Sequence, residues 1–235
     1  ETVVNQSAGR IPVLIGTADE RTENAIAFSR DAERMGADGV MIVPPYYSSP
    51  TGEELFVHYK RIAEAISIPV MIYNNPNTAN VDLSPTLVAR MTEVDNILYI
   101  KESSGDISRV REIIRLTDGA MTVFAGYHPW ESIRLGAKGY VSVFGNIVPR
   151  MSADLYTLSS KDETAIEARD LYHRAIPLMD AISGDLYVSA TKAALRLIGM
   201  STGDPRPPRL SLPDVNIAAL RQVLSDLDVL DEKAA

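Results

Sequence analysis

The chain has 235 residues, 46% of them apolar, which is enough to build a core and too many for a disordered polymer. Its formal charge is −8 and its Lys and Arg form no stripe, which sets aside a nucleic-acid or acidic-membrane surface. There is no cysteine, so disulfides, cysteine zinc sites and thiol catalysis are excluded and a cytoplasmic setting is expected; no apolar run reaches the ~18 residues of a membrane span.

The opening stretch ETVVNQSAGR lacks the apolar segment of a signal peptide and does not begin with Met. Six short apolar runs follow: 11–17 (IPVLIGT), 39–45 (GVMIVPP), 69–75 (PVMIYNN), 96–103 (NILYIKES), 121–127 (MTVFAGY) and 139–146 (GYVSVFGN). They start 28, 30, 27, 25 and 18 residues apart, separated by helix-periodic stretches such as TENAIAFSRDAERMGA and GEELFVHYKRIAEAI. Strands apolar on both faces that alternate with helices predict a parallel sheet covered by helices. The spacing suits the ~31 residues per unit of a (β/α)8 TIM barrel better than an irregular doubly wound sheet.

Six runs are two short of a closed barrel, so units 3 to 8 are expected here, with two more before residue 1. After Asn146 the pattern turns helical through RMSADLYTLSS, ETAIEARDLYHRAIPLMDAI, DLYVSATKAALRLIG and, beyond GDPRPPRLSLP, PDVNIAALRQVLSDLDVL. The organisation expected is an incomplete barrel over 1–158 and a helical C-terminal region over 159–235.

Active sites of such barrels are built at the C-terminal ends of the strands. The polar residues there are Thr17, Tyr46, Tyr47, Tyr73, Asn74, Asn75, Lys101, Glu102, Ser103, Tyr127, Ser142 and Asn146. Lys101 stands out, because lysine is seldom buried and this one closes the run Ile97-Leu98-Tyr99-Ile100. Desolvation disfavours the charged form of an amine, and a neutral lysine can attack a ketone to form a Schiff base. The plainer reading is a lysine that reaches solvent or pairs with Glu102. Tyr73 ends the preceding run at a similar height, where a phenol could pass protons beside an iminium, and Tyr47 could extend that relay.

Other signals are weaker. His58, His128 and His173 show no metal-ligand spacing, with His58 and His173 expected on helix surfaces and His128 in a loop or at a helix start. Asp106 reads as the N-cap of ISRVREIIRL. No phosphate-binding glycine motif occurs.

Four stretches, PPYYSSP (44–50), YNNP (73–76), IKESSGD (100–106) and GAKGYVSV (136–143), resemble in order the motifs of the dihydrodipicolinate synthase / N-acetylneuraminate lyase family. The intervals of 26 residues from Tyr47 to Tyr73 and 28 from Tyr73 to Lys101 fit the same pattern. The resemblance implies a (β/α)8 barrel with C-terminal helices, a homo-oligomer (dimer or tetramer), and a Schiff-base lysine acting on a 2-keto acid without metal or organic cofactor. Lys101 would form the imine, Tyr73 would transfer protons, and Tyr47 would match a second tyrosine that in many members reaches a neighbouring subunit's site. Val141 would match a strand residue whose carbonyl faces the keto acid, and Asn75 and Thr78 would shape the substrate pocket.

Two departures matter. The family's upstream GTTGE-like stretch does not occur, and Thr78 stands where the dihydrodipicolinate synthases carry an arginine that grips the second substrate's carboxylate. A neutral hydroxyl does not replace a bidentate guanidinium. The sequence alone therefore favours a Schiff-base lyase of pyruvate or another small 2-keto acid, with authentic dihydrodipicolinate synthase and a catalytically silent keto-acid-binding paralogue as alternatives.

Overall fold

The computed structural model describes residues 1–200 and 202–230. The chain divides into two compact units, Glu1–Val141 and one that begins at Ser142. In the first, helix α1 (Thr2–Ser7) precedes strand β1 (Leu14–Gly16), and then α2 (Thr22–Arg34), β2 (Gly39–Ile42), α3 (Gly52–Ala63) and β3 (Val70–Asn74) follow. The short α4 (Pro76–Ala79) and α5 (Pro85–Met91) lead to β4 (Ile97–Glu102), α6 (Ser108–Leu116), β5 (Thr122–Ala125), α7 (Pro129–Arg134) and β6 (Gly139–Tyr140).

The six strands lie in chain order, and each pairs with the next in parallel. Strands in sequence order with a helix in every crossover are the βα units of a partial (β/α)8 barrel. All six apolar runs contain a strand, although the last is shorter than its run. Among the described residues β6 pairs with β5 alone, and after Val141 N–H donates to the Ala125 carbonyl at 2.8 Å the chain turns into a 3-10 turn over Phe144–Asn146.

Side chains alternate across each strand, and the two faces differ in kind. Val40, Ile42, Val70, Ile72, Ile100 and Val123 point to one face and pack with Leu55, Tyr59 and Ile62 of α3, Val88 and Met91 of α5, and Val110 and Ile113 of α6. Each such aliphatic burial contributes roughly 1.5–3 kcal/mol against the cost of ordering the chain. Met71, Tyr73, Tyr99, Lys101 and Phe124 therefore fall on the opposite face, away from the helices.

Local chemistry sets the helix starts. The Thr51 Oγ accepts from the Glu54 amide at 3.3 Å while Glu54 Oε2 accepts from the Thr51 amide at 2.7 Å, a reciprocal cap for α3. Ser84 Oγ accepts from the Leu87 amide at 3.2 Å at the start of α5, where Pro85 takes the first helical position. Asp106, expected as the N-cap of α6, lies one residue before the observed N-cap Ile107, which has no side-chain cap bond; its carboxylate accepts the Ser108 amide at 2.9 Å.

The second unit is helical: α8 (Pro149–Ser159), α9 (Ala165–Ala181), α10 (Tyr187–Leu197) and α11 (Asp214–Asp226). Within it α9 packs on α8 and α11, and α10 packs on α11. Among the described residues, no helix is long and apolar enough to cross a membrane.

Candidate active site

The ends of β3 and β4 run in register, with Tyr73 opposite Lys101 and Asn74 opposite Glu102. Tyr73 and Lys101 share the face away from the helices, both half-buried, and Lys101 Nζ stands 3.9 Å from the centre of the Tyr73 ring. The matched height expected of the two is the height the register gives them. The Asn75 Nδ2 donates to the Tyr73 hydroxyl at 3.1 Å, so the phenol already has one partner that fixes its direction. On the same face Tyr99 and Phe124 meet edge to face at 6.1 Å, an aromatic border on the β5 side of Lys101.

A Lys101–Glu102 ion pair does not form, for a simple reason: consecutive residues of a strand point to opposite faces. Glu102 turns to the helix side with 5% exposure, where Oε2 accepts from Asn74 Nδ2 at 3.0 Å and Oε1 from the Ser104 amide at 2.7 Å. Asn74 is fully buried, also donates to Asp82 Oδ1 at 3.3 Å, and accepts the Leu83 amide at 3.0 Å. Arg109 of α6 closes the group with two bonds to the Asp82 carboxylate, at 2.7 and 2.5 Å, and lies 4.0 Å from Glu102. Its guanidinium holds the Asp82 carboxyl below the usual range although burial opposes this.

This Asn74–Glu102–Asp82–Arg109 group, buried at Asn74 and Glu102, is what the reading by residue type missed. The signal was present: YN and KE end two neighbouring strands in register, so if the first of each pair faces one side, the second of each must meet on the other.

The remaining candidates divide. Asn75 is half-buried and its Oδ1 is buried without a hydrogen-bond partner among the described residues. Thr78 is exposed on α4, its amide bonded to the Asn75 carbonyl at 3.0 Å. Tyr47 is 91% exposed, and no hydrogen bond or ring contact joins it to Tyr73 among the described residues. Val141 follows β6 directly, its side chain 39% exposed. Thr17 faces the helices, where its hydroxyl meets Ser29 Oγ at 2.9 Å, and so leaves the site.

Ser103, next after Glu102, has a buried hydroxyl without a partner among the described residues, and a Cβ added at Gly126 would overlap it. His58 corrects an expectation. It is 5% exposed, with Nδ1 2.9 Å from Thr22 Oγ, because it lies on the same stripe of α3 as Leu55 and Ile62. Among the described residues, no group of three or more His, Asp or Glu side chains is placed to hold a metal ion.

Residues 1–227 match the sequence profile of the dihydrodipicolinate synthetase family. A 4-hydroxy-tetrahydrodipicolinate synthase of Archaeoglobus fulgidus is 35% identical over 224 residues, 94% of this chain and 77% of the relative. One from Thermodesulfovibrio yellowstonii is 37% identical over 224 residues, covering 94% of this chain and 76% of its own length. The crystal structure of the chloride-inhibited dihydrodipicolinate synthase from Acinetobacter baumannii, complexed with pyruvate, superposes with a TM-score of 0.93 at 33% identity, covering 97% of this chain and 79% of that one.

Proposed function

The chain belongs to the dihydrodipicolinate synthetase family, and from that premise we propose that it is a lyase whose Lys101 forms a Schiff base with pyruvate, which is then joined to aspartate semialdehyde. The observation that carries this is the pairing of Lys101 with Tyr73, Nζ to ring centre 3.9 Å, at the C-terminal ends of adjacent barrel strands. The Nζ attacks the keto carbon and water leaves, giving an iminium. The iminium withdraws electrons from the neighbouring methyl carbon, a proton is released there, and the resulting enamine attacks the aldehyde carbon. Tyr73 is the acid and base for these transfers, its phenol directed by Asn75.

Asn75 brings a further group to the pocket, since its buried Oδ1 has no partner among the described residues. Val141, directly after β6, faces the keto acid through its backbone carbonyl in this reading. Tyr47 serves across a subunit boundary, which makes the working enzyme a homo-oligomer; its 91% exposure supports that role. The sequence alone put other 2-keto acids ahead of this substrate pair. The relatives that share the synthase name at 35% and 37% identity support the reverse order.

A second reading survives on one observation. Thr78 offers a hydroxyl where an arginine would grip the second substrate's carboxylate, and Arg109 does not take its place because it is bound to Asp82 behind the sheet. That favours an aldehyde partner, or a cleavage reaction, in which no carboxylate needs a guanidinium. Turnover of pyruvate with aspartate semialdehyde, coupled to a reductase for the product, tests the first reading. Turnover confined to other 2-keto acids would move the assignment to the second.

A further inference from the structure

We propose that Glu20 is the positioning residue for Tyr47: one carboxylate gathers the main chain of the loop after β2 and so fixes where the tyrosine is presented. The proposal rests on the reading that Tyr47 serves the reaction.

A side chain that is 91% exposed has almost no packing to locate it, and Tyr46 beside it is 51% exposed. Their placement therefore falls to the backbone. Glu20 Oε1 accepts from the Tyr46 amide at 2.5 Å and the Tyr47 amide at 2.8 Å, and Oε2 accepts from the Ser48 amide and hydroxyl at 3.4 Å each. Three successive amides converging on one carboxylate form a concave anion seat, here filled by the protein's own side chain. From the other side Asn80, in the left-handed conformation at φ 55 after α4, donates to the Tyr46 carbonyl at 3.1 Å. The loop is thus held at both polarities of one residue, by Glu20 before α2 and by Asn80 next to the β3 end that carries Tyr73.

The chemistry of the seat agrees with its geometry. Burial disfavours the Glu20 anion, yet the amides of Tyr47, Tyr46 and Ser48 outweigh it and hold the carboxyl below the usual range. Charge-assisted bonds of this kind are about twice as strong as neutral ones. Without them, the loop's backbone would recover conformational freedom, and the phenol would spread over many positions.

The test uses the intact protein and two independent readouts: amide hydrogen exchange at Tyr46, Tyr47 and Ser48, and steady-state turnover. Glu20→Ala is expected to speed exchange at those amides about tenfold or more and to lower kcat by about ten- to a hundredfold, with KM for pyruvate changed less than about twofold. Glu20→Gln, which keeps the Oε1 acceptor, is expected to recover part of both. Adding Glu20→Ala to Tyr47→Phe should cost nothing beyond Tyr47→Phe alone, since both act through one phenol. Arg61→Ala, which breaks the neighbouring exposed pair with Glu23, should leave both readouts at their original values. Unchanged exchange, unchanged kcat or an additive double variant would overturn the proposal. A protein that turns over no keto acid would remove the functional reading alone, and the exchange result would still decide whether Glu20 holds the loop.

Discussion

Asn74 and Glu102 stand opposite each other on β3 and β4, amide to carboxylate at 3.0 Å, on the face of the sheet behind Tyr73 and Lys101. The strand ends that carry Tyr73 and Lys101 are thereby tied from the rear. Removing one partner leaves buried polar groups uncompensated. Glu102→Leu is expected to destabilise the fold by about 3–5 kcal/mol. Glu102→Gln, which can still bond Asn74, should cost less, and urea denaturation of the two variants measures the difference.

Tyr73 contributes two separable things, a ring beside Lys101 and a hydroxyl bonded to Asn75. Tyr73→Phe keeps the first and loses the second. It is expected to lower kcat by roughly 10²–10⁴ while Lys101 still forms a trappable imine. Tyr73→Leu should impair both, and comparing adduct yield with turnover distinguishes the two variants.

Gly126 follows β5, where its amide donates to the Glu102 carbonyl at 2.7 Å and a Cβ would overlap Ser103 Oγ. Gly126→Ala is expected to cost about 1–3 kcal/mol through overpacking. Ser103→Gly in the same chain removes the obstructing side chain and should restore part of the melting temperature. Failure to restore it would assign the cost to the backbone contact instead.

Acid should weaken the fold in two stages. Burial, with Arg61 nearby, lowers the His58 pKa, so its contribution is complete above the ordinary value of 6.5 and is lost as pH falls from there through the folded value. Asp82, lowered by Arg109, contributes fully above 3.8 and loses that stability as pH falls through its depressed folded value. Urea midpoints measured from pH 8 downward should begin to fall below 6.5, and Asp82→Asn should flatten the later stage.

The barrel was legible because runs such as PVMIY and ILYI are apolar on both faces and alternate with helix-periodic stretches, the pattern of a covered parallel sheet. The matched placement of Lys101 and Tyr73 was legible for the converse reason, as polar ends on those runs. Glu102 was not, because its partners Asn74 and Arg109 come from separate elements and only the register shows on which face it lies. His58 was misread by residue type alone. Its spacing from Leu55 and Ile62 places it on the buried stripe of α3, which helical periodicity could have revealed. The strand length of β6 was overestimated because GYVSVF is apolar enough for a longer strand, whereas β5 offers a partner only as far as Ala125.

The proposed function turns on Lys101 as the Schiff-base nucleophile. The most direct measurement is borohydride reduction of the intact protein in the presence of pyruvate, followed by intact-mass and peptide mass spectrometry. One reduced pyruvate per chain is expected, mapped to Lys101 and lost in Lys101→Ala. No adduct with pyruvate or any other 2-keto acid, or an adduct on another lysine that persists in Lys101→Ala, would contradict it.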